Sequence, residues 1–269
     1  MNLYAVWVEI KRGLIRKARS PVELITETLT AYIFLTAAIL AASGRVVTSG
    51  SAASAGFLSR SADELLFSLV CVFFCMSALQ GIARLATEEP GSGIVEQLGS
   101  SQIPLWRIGL IRDVASIVNF VPNIAIIIAA VSVTTGARMP LPRMSALVPL
   151  VLMRVGMLGI GYALGGIALL AARIGGLVNL VSMGLFAMAF APPDAATGVM
   201  GFVRRVMPYG RCYHMAHEIV FGRAAIGDYV VGGALASAAI LAVSYFIAGV
   251  AIFNKAFAIA LDRGALGKS

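Results

Sequence analysis

Long apolar runs dominate this sequence and limit what it can fold into. The two clearest are LLFSLVCVFFCMSALQGIA (65–83) and VASIVNFVPNIAIIIAAVSV (114–133). Each is close to the roughly 20 helical residues that cross the hydrocarbon core of a bilayer. Only 13% of the 269 residues are charged and 59% are hydrophobic, whereas about 25% of the residues of a soluble domain are charged. The sequence therefore predicts an all-α integral membrane protein.

Six apolar segments are long enough to be transmembrane helices. They cover residues 24–43, 65–84, 112–133, 146–172, 174–191 and 229–253. An even number of spans places both termini on the same side of the membrane. A basic cluster between Lys11 and Arg19 precedes the first span, and such clusters stay in the cytoplasm. Both termini are therefore predicted to be cytoplasmic. The net charge of +8 fits a basic cluster beside anionic lipid, so no nucleic-acid partner is predicted.

The first 19 residues have the pattern of an amphipathic helix. Leu3, Trp7, Ile10 and Leu14 recur at helical spacing, and the basic residues lie largely on the other faces. Such a helix can lie in the bilayer interface, in contact with membrane lipid. The following Ser-Pro-Val-Glu sequence, residues 20–23, offers an N-cap, a proline at the first helical position and a capping-box glutamate. We therefore expect an interfacial helix over 1–19 and a new helix directly after it.

No complete motif for catalysis, nucleotide binding or metal binding occurs in the sequence. The final GALGKS resembles the end of a phosphate-binding loop, but Asp262 stands where the first glycine is required. His214 and His217 lie beside Glu218 at a spacing that matches neither metallopeptidase arrangement. A polar helix at the outer membrane face is the favoured interpretation of this pair, and a metal site is the alternative. We predict no catalytic residue, no metal ligand and no cofactor for this chain.

The three cysteines do not suggest a disulfide framework. Cys71 and Cys75 lie one helical turn apart in the second span, and Cys212 stands alone in the outer loop. Such cysteines behave as small apolar residues. We expect all three to be packed thiols.

Few polar side chains interrupt the predicted spans. Arg154 lies about 12 Å into the fourth span, at 1.5 Å per residue, and Asn119 and Asn123 lie in the middle of the third. A buried arginine is costly, so it faces either a polar cavity or a partner group. One interpretation places these three residues along a translocation path for an anionic molecule. The other pairs Arg154 with a neighbouring helix or extends it to the headgroups, and uses the asparagines between helices. No recognisable active site results, so an intramembrane enzyme is the least favoured class.

The segment EEPGSGIVEQL (88–98) interrupts the apolar sequence between the second and third spans. Glu88 and Glu89 end the second span, and Gly93 permits a turn. A short amphipathic helix can follow, with apolar Ile94, Val95 and Leu98 on one side and polar Glu96 and Gln97 on the other. A loop with its own small helix is suited to docking another protein, although such a helix can also lie on lipid headgroups.

This segment resembles the cytoplasmic motif between the second and third spans of type-2 ATP-binding-cassette (ABC-2-type) exporter permeases. That motif has a glutamate, a few residues and then Gly-Thr-(Leu/Ile)-Glu-Gln-Leu. The matching residues are Glu88, Gly93, Val95, Glu96, Gln97 and Leu98, with Ile94 in place of threonine. The family's Ser-Pro step is absent from residues 99–102, although Pro104 lies nearby. RSPVEL (19–24) and the segment 191–223 are also similar to parts of the family, so the resemblance extends over nearly the whole chain.

The resemblance implies a permease subunit in a bacterial-type cytoplasmic membrane. Residues 88–107 would form a coupling-helix loop that seats on an ATPase, and residues 192–228 would re-enter the outer leaflet without crossing it. The implied ATPase-coupling residues are Glu88, Glu89, Gly93, Ile94, Val95, Glu96, Gln97 and Leu98. The implied partners are a second permease chain and two ATP-binding-cassette ATPase subunits, which would carry the ATP and Mg.

The implied activity is export of a small amphipathic, lipid-like or natural-product cargo by one transmembrane domain, residues 1–269. A lipid-linked glycan is an alternative cargo. A membrane assembly or sensory subunit that transports nothing is an alternative function.

Overall fold

A computed structural model describes residues 3–19, 21–42, 61–88, 104–140, 143–170, 175–190 and 198–262. These residues form helices and loops and contain no strand, which confirms the prediction of an all-α protein for this part of the chain. The ten α-helices in it are α1 Leu3–Arg19, α2 Pro21–Ala42, α3 Ala62–Glu88, α4 Leu105–Thr135, α5 Leu147–Leu170, α6 Gly175–Phe190, α7 Gly198–Val206, α8 Pro208–Val220, α9 Ile226–Val231 and α10 Ala234–Asp262. A 3-10 turn, Met144–Ala146, leads into α5.

Four helical segments within the described residues are long and apolar enough to cross a membrane. They are Ala62–Ala83, Leu105–Thr135, Met144–Leu170 and Ala234–Asp262. Two shorter apolar helices, Ile25–Ala41 and Gly176–Phe190, coincide with the first and fifth predicted spans. Several long apolar helices are what a multi-pass membrane protein requires.

The last long helix begins later than the sequence pattern predicted. Residues 229–233 were assigned to it, but α9 ends at Val231 and the chain turns before Ala234. Gly233 adopts the left-handed backbone conformation, with φ of 68°, which is open to glycine and unfavourable for other residues. The prediction of one continuous helix from 229 was therefore wrong. The pair of glycines at 232 and 233 separates a short helix from the long one.

The third predicted span, in contrast, begins earlier than the sequence pattern predicted. Its apolar run starts near residue 112, but α4 begins at Leu105, directly after the extended Pro104. Arg107, Arg112 and Asp113 therefore lie inside a helix of 31 residues. The hydropathy pattern missed this first part because charged residues lower the local average even where the backbone remains helical.

Helix α5 lies at the centre of the fold and packs against α3 and α10. On the α3 side, an added Cβ at Gly161 would lie 3.3 Å from the Cα of Leu79. On the α10 side, a Cβ added at Gly249 would overlap the carbonyl group of Gly159. Glycines thus allow the α5 and α10 backbones to approach more closely than any side chain would permit, as is common between membrane helices.

The helices α3, α5 and α8, with parts of α2, α4 and α6, enclose the main apolar core. Its largest buried side chains include Leu35, Phe67, Met153 and Tyr209. Phe67 of α3 stacks on Tyr213 of α8, with ring planes 26° apart and centroids separated by 6.1 Å. The core therefore fastens α8, which is too short to span a membrane, to the long helices.

Polar contacts define the two ends of the bundle. At one end, the Glu64 end, the carboxylate of Asp63 accepts a hydrogen bond of 2.7 Å from the backbone amide of Arg138. Arg223 forms an ion pair with Glu64 there, and its Nη2 lies 2.5 Å from Oε1. At the other end, the Trp106 end, the hydroxyl of Tyr162 donates a 2.6 Å hydrogen bond to the carbonyl of Trp106. The C-terminus of α3 and the N-terminus of α4 belong to this second end.

Candidate functional site

Arg154 lies in α5 and its guanidinium is buried among α3 and α4. It forms a two-point ion pair with Asp113 of α4, with 2.6 Å between Nη2 and Oδ1 and 3.0 Å between Nε and Oδ2. Both side chains are almost fully buried, at 4% and 5% exposure. A buried arginine requires such a partner, since an uncompensated charge in a low-dielectric interior is strongly unfavourable.

The remaining donors of Arg154 are used as well. Nη1 donates to the carbonyl oxygen of Phe74 at 2.8 Å and to Ser77 Oγ at 3.1 Å. Nη2 donates to Ser116 Oγ at 2.9 Å, and the guanidinium carbon lies 4.5 Å from the centroid of the Phe74 ring. A guanidinium has five N–H donors, and all five have acceptors here. We call Arg154, Asp113, Phe74, Ser77 and Ser116 the Arg154 network.

This network agrees with the second interpretation of Arg154 given above, in which the side chain pairs with a neighbouring helix. A transported anion could reach this side chain only if one of the existing hydrogen bonds were broken. Asp113 was missed by sequence reasoning, although the signal was present. The one acid of α4 and the one arginine of α5 are candidates for a mutual pair because neither is tolerated alone in a membrane interior.

Asn119 and Asn123, the other two residues predicted for a translocation path, contact the two N-terminal helices. Asn123 accepts a 2.8 Å hydrogen bond from the hydroxyl of Thr28 in α2. Asn119 donates to the carbonyl of Ala115 in its own helix at 3.1 Å, and a Cβ added at Gly13 of α1 would lie 2.5 Å from its amide nitrogen. The structure thus places the three candidate residues against different helices, and their role in a path stays a prediction.

Helix α1 packs along α4. Glu9 lies between two arginines, with 3.2 Å to Nε of Arg112 in α4 and 3.9 Å to Nη1 of Arg12 in α1 itself. Together with the close approach of Gly13 to Asn119, this contact extends from Arg112 to Asn119 of α4, or about 10 Å along its axis. Helix α1 is therefore held by α4 near the Trp106 end.

The residues predicted to couple to an ATPase lie mainly outside the described part of the chain. Glu88 is the last residue of α3. The others, Glu89, Gly93, Ile94, Val95, Glu96, Gln97 and Leu98, fall between α3 and α4, outside the described residues. The two helices that carry this segment are both joined to α5 by the Arg154 network.

The two histidines of α8 have different surroundings. His217 is fully buried among the rings of Phe67, Tyr213 and Phe221, and its Nδ1 lies 3.3 Å from Glu218 Oε1. His214 is exposed. Among the described residues, no group of three or more His, Cys, Asp or Glu side chains is arranged to hold a metal ion.

The three cysteines are buried and unpaired, as the packed-thiol interpretation predicts. Burial raises the pKa of the Cys212 thiol to about 12, with a smaller opposing effect from the neighbouring Arg211. A thiol in this state is inert at neutral pH, because the thiolate is the reactive form.

A pocket of about 370 Å³ opens at the Glu64 end of the bundle, between α7, α8, α9 and α10. Three of the residues that line it are arginines, Arg204, Arg205 and Arg211, and no carboxylate of the described residues lines it. His214 and Ser237 also border it. Sequence reasoning did not find this pocket, because its arginines come from two short helices whose relative placement depends on tertiary packing.

Comparison of the chain with protein-family models, with curated proteins and with solved structures found no match. The resemblance to ABC-2-type permeases therefore depends on the sequence features described above.

Proposed function

We propose that this chain is the permease subunit of an ATP-driven exporter of the ABC-2 type, located in a bacterial-type cytoplasmic membrane. Two such chains, identical or related, would form a path for a small amphipathic cargo, and two separate ATPase subunits would drive it. The observation that carries the proposal is the glutamate- and glycine-rich segment 88–98, set between two long apolar helices.

The contacts of α3 and α4 support a coupling role for that segment. A force applied between these helices would reach α5 directly, because Arg154 bonds to Phe74 and Ser77 of α3 and to Asp113 of α4. Helix α5 in turn packs against α10 through the Gly159–Gly249 contact. Movement of the segment would therefore be transmitted to four long helices, which is what a coupling element must achieve.

The paths of α5 and α6 support six membrane crossings. Arg138 and Arg223 both bind the start of α3, at Asp63 and Glu64, so both lie at the Glu64 end. Helix α5 leads away from that end towards the Trp106 end. Helix α6 leads back, because the carbonyl of its residue Ala189 accepts a hydrogen bond from Ser68 near the start of α3. We propose that α6 crosses the membrane although it has only 16 residues.

Helix α2 is proposed to be the first crossing for a similar reason. Its Thr28 binds Asn123 in the middle of α4, whereas its later residue Phe34 packs against Phe73 and Phe186. With α1 held near Arg112, α2 would begin at the Trp106 end and run towards the Glu64 end. Both termini would then be cytoplasmic, α1 would lie at the inner interface, and α7 to α9 would form the outer re-entrant segment.

The experiment that tests the proposal is isolation of the tagged chain from its native membrane in a mild detergent, followed by mass spectrometry of the proteins that accompany it. We expect a stoichiometric ATPase with a phosphate-binding loop. Leu98→Asp should abolish its recovery, because it places a charge on the apolar side of the proposed coupling helix. Leu261→Asp is the matched control, since this side chain is 47% exposed at the end of α10 and its replacement should leave recovery unchanged.

Recovery of the intact chain without any ATPase, under conditions that preserve a known transporter complex, would contradict the proposal and favour an assembly or sensory subunit. A second measurement follows ATP hydrolysis and cargo flux in reconstituted vesicles. Glu96→Ala should uncouple the two, and unchanged transport in this variant would contradict the coupling-helix assignment.

A further inference from the structure

The pocket between α7, α8, α9 and α10 has the chemistry of an anion-binding site. Arg204, Arg205 and Arg211 bring three positive charges to its walls. Arginine is suited to phosphate and carboxylate groups because its planar fork of donors bonds two oxygens at once. Three arginines around one pocket repel one another unless an anion lies between them.

Among the described residues, no carboxylate lies in the pocket wall to pair with Arg205 or Arg211. Arg211 donates from Nε to the carbonyl of Arg205 at 3.0 Å, and its Nη1 lies 3.4 Å from Ser237 Oγ. Both acceptors are uncharged. The side chain of Arg205 has no hydrogen-bond or ion-pair partner among the residues that the structure describes, so its donors remain available to a ligand.

The backbone gives the site a fixed shape. Arg204 donates a 3.2 Å hydrogen bond to the carbonyl of Met188, which fastens α7 to the end of α6. A Cβ added at Gly210 of α8 would lie 2.7 Å from the Cα of Arg204, so the two short helices meet at a tight corner. The backbones that carry the arginines of α7 and α8 are thus fixed relative to each other before any ligand binds.

The neighbourhood of the pocket indicates a ligand with an apolar part. Tyr213, Met215 and Tyr229 line the pocket together with the arginines. Apolar and aromatic side chains beside a group of arginines are the surroundings that an amphipathic molecule requires, with its charged head on the arginines and its apolar part against these side chains.

We propose that this pocket binds the phosphate-bearing head group of a net anionic amphipathic molecule, with Arg205 and Arg211 as the principal ligands of the phosphate. The site lies at the Glu64 end, away from the C-terminus of α3, and it does not depend on the exporter assignment. The same phosphate chemistry could come from an anionic membrane lipid or from a free phosphate compound, and the test distinguishes these two sources.

The test measures binding to the purified full-length chain in a neutral detergent, without any ATPase. Three probes are titrated: a short-chain phosphatidylglycerol, the phosphatidylcholine of equal chain length, and inorganic phosphate. Thermal stabilisation reports the affinity of each. We expect phosphatidylglycerol to stabilise the protein and phosphatidylcholine to have no effect, and the stabilisation to weaken as the salt concentration rises because the site is partly open to solvent.

The variants separate the pocket from general surface charge. Arg205→Gln should weaken phosphatidylglycerol binding about tenfold or more, as expected for loss of a charged hydrogen bond, and the melting temperature of the free protein should not change. Arg138→Gln is the matched control, because it removes an exposed arginine at the same end of the bundle but outside the pocket. It should change the affinity less than twofold.

Stabilisation by inorganic phosphate but not by phosphatidylglycerol, lost in Arg205→Gln, would support the site and identify a free phosphate compound as the ligand. Binding of phosphatidylglycerol that phosphate does not displace would support it with a lipid as the ligand. Equal affinity of the two lipids would overturn the proposal. Equal losses in the Arg205 and Arg138 variants would overturn it as well, as would unchanged binding when both Arg205 and Arg211 are replaced by glutamine in a protein that still melts cooperatively.

Discussion

Asp113 of α4 and Arg154 of α5 face each other, and both oxygens of the carboxylate bond the guanidinium, at 2.6 and 3.0 Å. The pair lies about 12 Å along α4 from its first residue, at 1.5 Å per residue. It therefore joins the two helices well inside the bundle, where neither charge can reach water. The pair fixes how the two helices are oriented but adds little to the net stability of the fold, because desolvation of two ions offsets much of their attraction.

We expect removal of either charge to be more damaging than removal of both. Asp113→Leu or Arg154→Met alone should destabilise the protein by about 3–5 kcal/mol, because each leaves a buried charge without its partner. The double variant should recover at least half of this loss. Ser116→Ala, which removes one hydrogen bond to a charged group, should cost about 1.5–3 kcal/mol. The measurement is the unfolding midpoint of each variant in one detergent, analysed as a double-mutant cycle.

A strictly additive cycle would contradict this account of the pair. Arg154→Lys is the informative control, because it keeps the charge but supplies three donors in place of five. The unfolding midpoint of Arg154→Lys should lie between those of the wild type and Arg154→Met.

The contact of α5 with α10 leads to a second prediction. Gly249→Ala should destabilise the protein by about 1–3 kcal/mol, the usual cost of overpacking, because the added methyl group overlaps the carbonyl of Gly159. Gly81→Ala in α3 is the matched control, since an added Cβ there meets no atom within 4 Å. It should be neutral or stabilising by up to about 1 kcal/mol. Equal effects of both substitutions on the unfolding midpoint would show that the close approach of the two backbones is not important for stability.

The buried thiol of Cys212 provides a chemical test of the packing of α8. Its pKa of about 12 compares with an ordinary value of 9.0, so the native protein should resist maleimide at pH 7 and at pH 9. An exposed cysteine in Gly227→Cys, placed where an added Cβ meets nothing within 4 Å, should react fully in the same sample. Mass spectrometry of the digested protein reports the two positions separately, and denaturation should make Cys212 reactive.

The stability effect of this thiol has a definite sign. As pH rises, the unfolded thiol ionises near 9 and the folded thiol near 12. Its contribution to stability is therefore complete below pH 9 and is lost between these values. Labelling of native Cys212 at a rate similar to that of the cysteine in Gly227→Cys would mean that α8 does not pack as described.

The sequence predicted the helices well because apolar runs of this length have few alternatives. Its errors occur where a single residue overrides the run. Gly233 ends the approach to α10 with a left-handed turn, and Pro104 starts α4 before the apolar run begins. Hydropathy averages over a window and cannot register either.

The candidate sites were harder to predict because they depend on which helices meet. Arg154 was identified as unusual, but its partner Asp113 became visible only when α4 and α5 were both packed against α3. The arginine pocket was harder still to predict, because Arg205 and Arg211 lie on different short helices. The two side chains come to one pocket only because α7 and α8 pack closely at Gly210.

The number of membrane crossings leads to the final prediction. If α2 and α6 both cross, Lys11 lies on the cytoplasmic side, and Arg138 and Gly227 lie outside. If only the four longest helices cross, Lys11 and Arg138 share one side and Gly227 lies on the other.

Single variants Lys11→Cys, Arg138→Cys and Gly227→Cys, treated in intact cells with a maleimide that cannot cross the membrane, distinguish the two arrangements. We expect Arg138→Cys and Gly227→Cys to be labelled and Lys11→Cys to be labelled only after permeabilisation. The bond between Asp63 and the amide of Arg138 and the ion pair between Glu64 and Arg223 favour this result, because both bring the segments after α4 and after α8 to the start of α3. Labelling of Lys11→Cys and Arg138→Cys together, without Gly227→Cys, would reduce the protein to four crossings and would put α1 and the segment 88–98 on opposite sides of the membrane.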